Sequence, residues 1–107
     1  MNDTTITKSN SIVVRIDNPK SSYGIFSIGE NGDLFLMSDY GHYCYMWRAF
    51  NGNFNQFLAQ TNAEYIVDKF EINYREQTNK KIPAFKKEHV KNLVSDLIKF
   101  LILQTKN

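Results

Sequence analysis

Apolar and polar positions alternate along the first half of the chain, and near residue 50 the spacing changes from two to three and four. Period two marks strands, and spacings of three and four mark one face of a helix. Ser11 to Asp17 is β-branched and reads as a first strand, with Thr4 to Thr7 as a weaker extension before it. Asn18-Pro19-Lys20-Ser21-Ser22 has turn composition. Tyr23 to Ile28 is a second strand, with Tyr23, Ile25 and Ser27 on one face and Gly24, Phe26 and Ile28 on the other. Gly29-Glu30-Asn31-Gly32 lies between apolar runs, and Asn-Gly accepts positive φ cheaply, so a tight hairpin is expected there. Asp33 to Ser38 is the returning strand. Asp39-Tyr40-Gly41 is a turn or a bulge, and His42 to Arg48 closes the meander.

The second half is helical. Phe54, Phe57, Leu58, Thr61, Tyr65 and Ile66 share a face, and Asn51-Gly52-Asn53 supplies the break before it and an N-cap. Thr61-Asn62 splits this region into two short helices, with Asn62 capping the second. Asn73 to Ile82 is polar and basic, and fits a surface helix or a loop. Pro83 suits the entrance of a last helix over Ala84 to Gln104. Its broad apolar face is Phe85, Val90, Leu93, Val94, Leu97, Ile98, Leu101 and Ile102. That face suits packing across a sheet, and it also suits a helix pair at a homodimer contact. The expected architecture is α+β: a three- to four-stranded antiparallel meander followed by two or three helices packed on one face. Residues 1–10 read as a flexible tail and 11–107 as a single domain.

Composition narrows the function classes. The 107 residues carry 13 basic and 11 acidic groups, a formal charge of +2, which is too small a bias to mark a nucleic-acid binder. The charge is uneven: residues 1–50 hold four basic and five acidic groups, and residues 51–107 hold nine and six. One cysteine, Cys44, excludes an internal disulfide and fits a cytoplasmic setting. No N-terminal apolar run resembles a signal peptide, and runs such as Phe100 to Leu103 are too short to span a bilayer.

Residue chemistry offers several sites. His42 and Cys44 are two apart on a strand and point the same way, but a zinc site needs more ligands than they supply. A nucleophilic Cys44 with His42 or His89 lacks an evident orienting group. Asp33 and Asp39 sit where turns favour aspartate. Gly29 and Gly32 are explained by the hairpin rather than by phosphate binding. No metal ligand set, cofactor site or catalytic residue is therefore assigned. Tyr43, Tyr45 and Trp47 share one face of the last strand, while His42, Cys44, Met46 and Arg48 share the other. Tyr, Trp and Arg are favoured at binding hot spots. Tyr40, Tyr43, Trp47 and Arg48, with Lys80 and Lys81 as secondary contacts, are accordingly the expected protein-binding residues, and the competing reading puts Trp47 and its companions in the core. Lys80, Lys81, Lys86 and Lys87 straddle Pro83 and form a candidate nucleic-acid contact, diluted by Glu76 and Glu88.

Between Leu36-Met37-Ser38-Asp39-Tyr40-Gly41 and Tyr65-Ile66-Val67-Asp68-Lys69, by way of Tyr45-Met46-Trp47 and Phe54-Asn55-Gln56-Phe57-Leu58, the chain resembles a group of small accessory proteins of phages and prophages. The resemblance covers about residues 33–69. It implies a phage-encoded, non-enzymatic inhibitor in the bacterial cytoplasm, such as an anti-CRISPR, that sterically blocks a host defence protein or ribonucleoprotein complex. The alternatives from the residues are a small nucleic-acid-binding regulatory module and a metal-dependent or cysteine hydrolase.

Overall fold

A computed structural model describes residues 3–19 and 22–105. Four strands, β1 (Ser11–Asn18), β2 (Ser22–Gly29), β3 (Asp33–Ser38) and β4 (Gly41–Met46), precede three helices, α1 (Phe54–Ala59), α2 (Ala63–Thr78) and α3 (Ala84–Thr105). The strands form one antiparallel sheet in the order β1-β2-β3-β4. The expected α+β meander followed by helices is the observed fold.

Two glycine turns set the register. Between β2 and β3 the Gly32 N–H donates to the Gly29 carbonyl at 3.3 Å. Gly32, not Asn31, takes the positive φ of 103°. The result is a three-residue loop ending in a left-handed glycine. The same glycine lets two backbones meet: Trp47 N–H donates to Gly32 C=O at 2.8 Å, and a Cβ at Gly32 would collide with the Trp47 carbonyl. Between β3 and β4 the loop is Asp39-Tyr40. Ser38 Oγ donates to Gly41 C=O at 2.7 Å and accepts from Tyr40 N–H at 3.2 Å, and Gly41 follows at φ 115°.

Helix ends follow local chemistry. Asn53 Oδ1 accepts from Gln56 N–H at 2.8 Å, and Asn62 Oδ1 accepts from Tyr65 N–H at 2.9 Å, each satisfying an orphan donor of a first turn. Asn79 ends α2 in the left-handed conformation at φ 60°. Pro83 precedes α3, as expected.

Alternation gives the sheet two faces. The inner face carries Val14, Ile16, Gly24, Phe26, Ile28, Leu34, Leu36, Tyr43 and Tyr45. It is covered by buried Phe54 and Leu58 of α1, Ile66, Val67 and Phe70 of α2, and Val90, Leu93, Val94, Leu97, Ile98 and Leu101 of α3. Gly24 has no side chain to hold α3 away: the ideal Cβ position lies 3.0 Å from methyl carbons of Leu36 and Leu93. Each aliphatic side chain buried here contributes about 1.5–3 kcal/mol.

Several local expectations are corrected. Thr4 to Thr7 do not join the sheet, since residues 3–10 have no helix or strand. β4 stops at Met46, because the chain bends at Arg48 after the Trp47–Gly32 bond. The segment from Asn73 is helical through Thr78 and loop beyond it. Phe85 and Ile102 are exposed, in the first and last turns of α3. Of the turn expected over Asn18 to Ser22, Lys20 and Ser21 lie outside the described residues, as do Met1 and Asn2 of the expected tail and Lys106 and Asn107 of the expected domain.

Candidate protein-binding surface

The aromatic strand end turns inward. Tyr43 and Trp47 are only 5% and 6% exposed, so neither is a surface anchor, which corrects the expectation for these two residues. Trp47 sits among Tyr45, Phe54, Phe57 and Tyr65, with ring centroids 4.9–6.3 Å away. Its indole Nε1–H donates to the Tyr65 hydroxyl at 2.9 Å, so the buried donor is satisfied. Lys69 Nζ lies 5.6 Å and 5.4 Å from the ring centroids of Tyr45 and Tyr65, closing the cluster with a cation–π contact. The Tyr43 hydroxyl donates to Tyr40 C=O at 2.6 Å. Burial, with the neighbouring Tyr74, pushes the Tyr43 phenol above its ordinary value. These rings must occupy the core because the inner face of β4 continues through Tyr43 and Tyr45 to Trp47.

The opposite face is bare. Strand register assembles it as a grid: Ser11, Gly29, Asp33 and Met46 near one end, then Val13, Ser27, Phe35 and Cys44, then Arg15, Ile25, Met37 and His42, and finally Asp17 and Tyr23. Val13 is 67% exposed, Phe35 45%, Met37 58% and Met46 59%. Antiparallel sheets that face water normally turn polar residues outward. Here an apolar centre is framed by Arg15, Asp17, Asp33 and His42. A contiguous apolar patch with a polar frame has the form of an interaction surface. Sequence reasoning counted both faces of the aromatic strand but missed Phe35 and Met37. The available signal was the unbroken run Leu34-Phe35-Leu36-Met37, which puts an apolar side chain on each side of β3.

The other expected contacts are dispersed. Arg48, Lys80 and Lys81 are exposed, Tyr40 and Lys86 are half-buried, and Lys87 is held by Glu71. Tyr40 stacks on His89 with centroids 3.9 Å apart and planes 1° from parallel, and His89 Nδ1 lies 3.3 Å from buried Ser22 Oγ. This contact pins α3 to the β3–β4 turn. Glu71 accepts from Lys87 Nζ and from Ile82 N–H, both at 3.1 Å. Burial pushes the Glu71 carboxyl up, but those bonds and the Lys87 and Arg75 charges outweigh it and hold the group below its ordinary value. The four-lysine cluster is thus divided, with Lys87 serving the α2–α3 connection.

His42 and Cys44 do share a face, and Asn73 Nδ2 donates to Cys44 Sγ at 3.3 Å. Among the described residues no three His, Cys, Asp or Glu side chains come together as metal ligands. Nor, among the described residues, is any helix long and apolar enough to cross a membrane.

A family model described as a phage family (Phage_phiTE_072) matches residues 4–99. The chain belongs to that phage family. The match takes in all four strands, α1, α2 and most of α3. No curated protein and no solved structure matches the chain.

Proposed function

We propose that this phage-family protein is a non-enzymatic inhibitor that docks on a host defence protein complex, such as a CRISPR–Cas effector, and blocks it sterically. The observation that supports this reading most is the bare apolar face of the sheet, centred on Val13, Phe35, Met37 and Met46. The anchors are therefore assigned to that face, with Arg15, Asp17 and His42 as the polar frame that orients the partner. Arg48 remains an exposed contact beside it, while Tyr43 and Trp47 hold the core. Membership of a phage family supports a role inside an infected cell.

The test is a plating assay in a host that carries an active CRISPR–Cas locus. Expression of the protein is expected to restore plating of a targeted phage. A Phe35→Glu/Met37→Glu variant, shown to be folded by its thermal melt, is expected to lose that effect. Full protection by the folded variant would overturn the assignment of the surface. Failure of the wild-type protein to protect, together with salt-sensitive oligonucleotide binding lost in Lys80→Ala/Lys81→Ala, would replace inhibition with nucleic-acid regulation.

A further inference from the structure

The arm that precedes β1 has the chemistry of a strand and no sheet to join. Residues 3–10 have no helix or strand, and Ile6 is 92% exposed. Yet Thr4-Thr5-Ile6-Thr7 is an unbroken β-branched run, a composition that favours pairing in a sheet. The arm is held where it meets the fold. Asn10 C=O accepts from Glu30 N–H at 3.0 Å, and Asn10 N–H donates to Glu30 Oε1 at 3.1 Å. Asn10 thus extends the β1–β2 register by one pair, and the arm leaves from there.

The edge of β1 has the opposite need. Backbone bonds along an antiparallel strand point alternately to one side and the other. Asn10 bonds toward β2, so Ile12, Val14 and Ile16 do too, while Ser11, Val13, Arg15 and Asp17 turn their N–H and C=O groups to the open side. Among the described residues β2 is the only sheet partner of β1. Such edges pair readily with another strand, and β1 has none of the bulges, proline or lysine that blunt them. An arm folding back on its own β1 would have to reverse at Lys8-Ser9-Asn10, where Asn10 is held in line by both bonds to Glu30. The arm of a second copy meets no such obstacle.

Two-fold antiparallel pairing centred on Ser11 lays each arm along the whole run Ser11 to Asp17 of the other copy. Thr5, Thr7 and Ser9 fall opposite Asp17, Arg15 and Val13. On the inner face Ile6, Lys8 and Asn10 fall opposite Ile16, Val14 and Ile12, so Ile6 gains an apolar neighbour and the Lys8 stem covers Val14. Centring on Asn10 instead sets Asp3 opposite Asp17, and like charges directly across an antiparallel pair destabilise it. Centring on Ile12 sets Ile6 opposite Asn18, whose side chain is bonded to Asp96. A cavity of about 260 Å³ adjoins the Ser11 two-fold, lined by Ile12, Ile28 and Phe54 with Asn10, Glu30 and Asn53. In the pair the partner's Ile12 comes opposite Asn10, beside this cavity.

We propose that the chain forms a two-fold dimer by reciprocal arm exchange, with residues 5–10 of each copy adding a strand to β1 of the other. The outer face of the sheet stays open in this dimer, so the dimer does not depend on the identity of any host target.

The experiment is sedimentation equilibrium on the full chain and its variants, each checked for native circular dichroism. The wild type is expected to be dimeric. Thr7→Pro removes an N–H that faces the partner's Arg15, and is expected to weaken the dimer by about tenfold or more. Lys8→Pro removes an N–H on the far side of the arm, facing water, and is expected to leave it unchanged. With Cys44→Ser to remove the native thiol, Ser11→Cys sets two cysteines across the two-fold with Cα atoms about 5.5 Å apart, within disulfide reach. This variant is expected to cross-link on oxidation, and Val13→Cys, opposite Ser9, is not. A wild type that stays monomeric at its highest attainable concentration overturns the proposal. So does a dimer indifferent to Thr7→Pro, or one that cross-links at Val13→Cys and not at Ser11→Cys, since either places the contact elsewhere.

Discussion

The two faces of this one sheet both carry large apolar side chains, and those side chains have opposite fates. Leu34 and Leu36 point into the core from β3, while Phe35 and Met37, interleaved with them, point into water. The inner face has no charged group, whereas the outer face carries Arg15, Asp17 and Asp33, so the inner face is the more apolar of the two. Shape and hydrogen bonding add to that difference. Gly24 opens a seat for Leu93, Gly32 lets the backbone carry Trp47 inward, and Tyr65 supplies the acceptor that the buried indole needs. The outer face has none of these devices, and its Val13, Phe35, Met37 and Met46 stay exposed.

Substitutions should separate the two faces sharply. The largest effect belongs to the inner side: Trp47→Ala removes the hub of the aromatic cluster and strands the Tyr65 hydroxyl. Urea unfolding should show a loss of about 3–5 kcal/mol. A smaller effect belongs to the strut that holds the helices over that face. Glu71→Gln removes the charge gripping Lys87, and should cost about 1 kcal/mol at neutral pH, since Lys87 remains partly in water. Its pH dependence has a definite sign. The folded carboxyl lies below its ordinary value of 4.5. Its stabilising contribution is therefore present above pH 4.5 and lost as pH falls through the folded value. Acid titration of the melting temperature should be flatter in the variant across that window. The smallest effect belongs to the outer face, where Phe35→Ser/Met37→Ser should change stability by about 0.5 kcal/mol or less per residue. A loss as large as that of Trp47→Ala would mean that the two faces are not distinct.

Much of the fold was legible because its signals are local. Asn62 caps the helix it was expected to cap, the cap of α1 falls on Asn53 within the expected Asn51-Gly52-Asn53 break, Pro83 precedes α3, and glycine at 32 and 41 marks the turns. Such signals act within a few residues. What could not be read locally was depth. Tyr43 and Trp47 have the composition of an exposed hot spot, and only α1 and α2 make them core. Lys87 has the composition of a phosphate contact until Glu71, sixteen residues earlier, engages it. The Tyr40–His89 stack joins residues far apart in the chain and leaves no sequence pattern. The outer-face patch was partly visible in Leu34-Phe35-Leu36-Met37, but a fully covered strand has the same pattern.

The thioethers of Met37 and Met46 stand in water on the uncovered face. Peroxide would convert them to sulfoxides, giving that greasy surface strongly polar points while leaving the fold beneath intact. Preparations aged in air should therefore keep their melting temperature yet lose the proposed docking, and methionine sulfoxide reductases should bring it back.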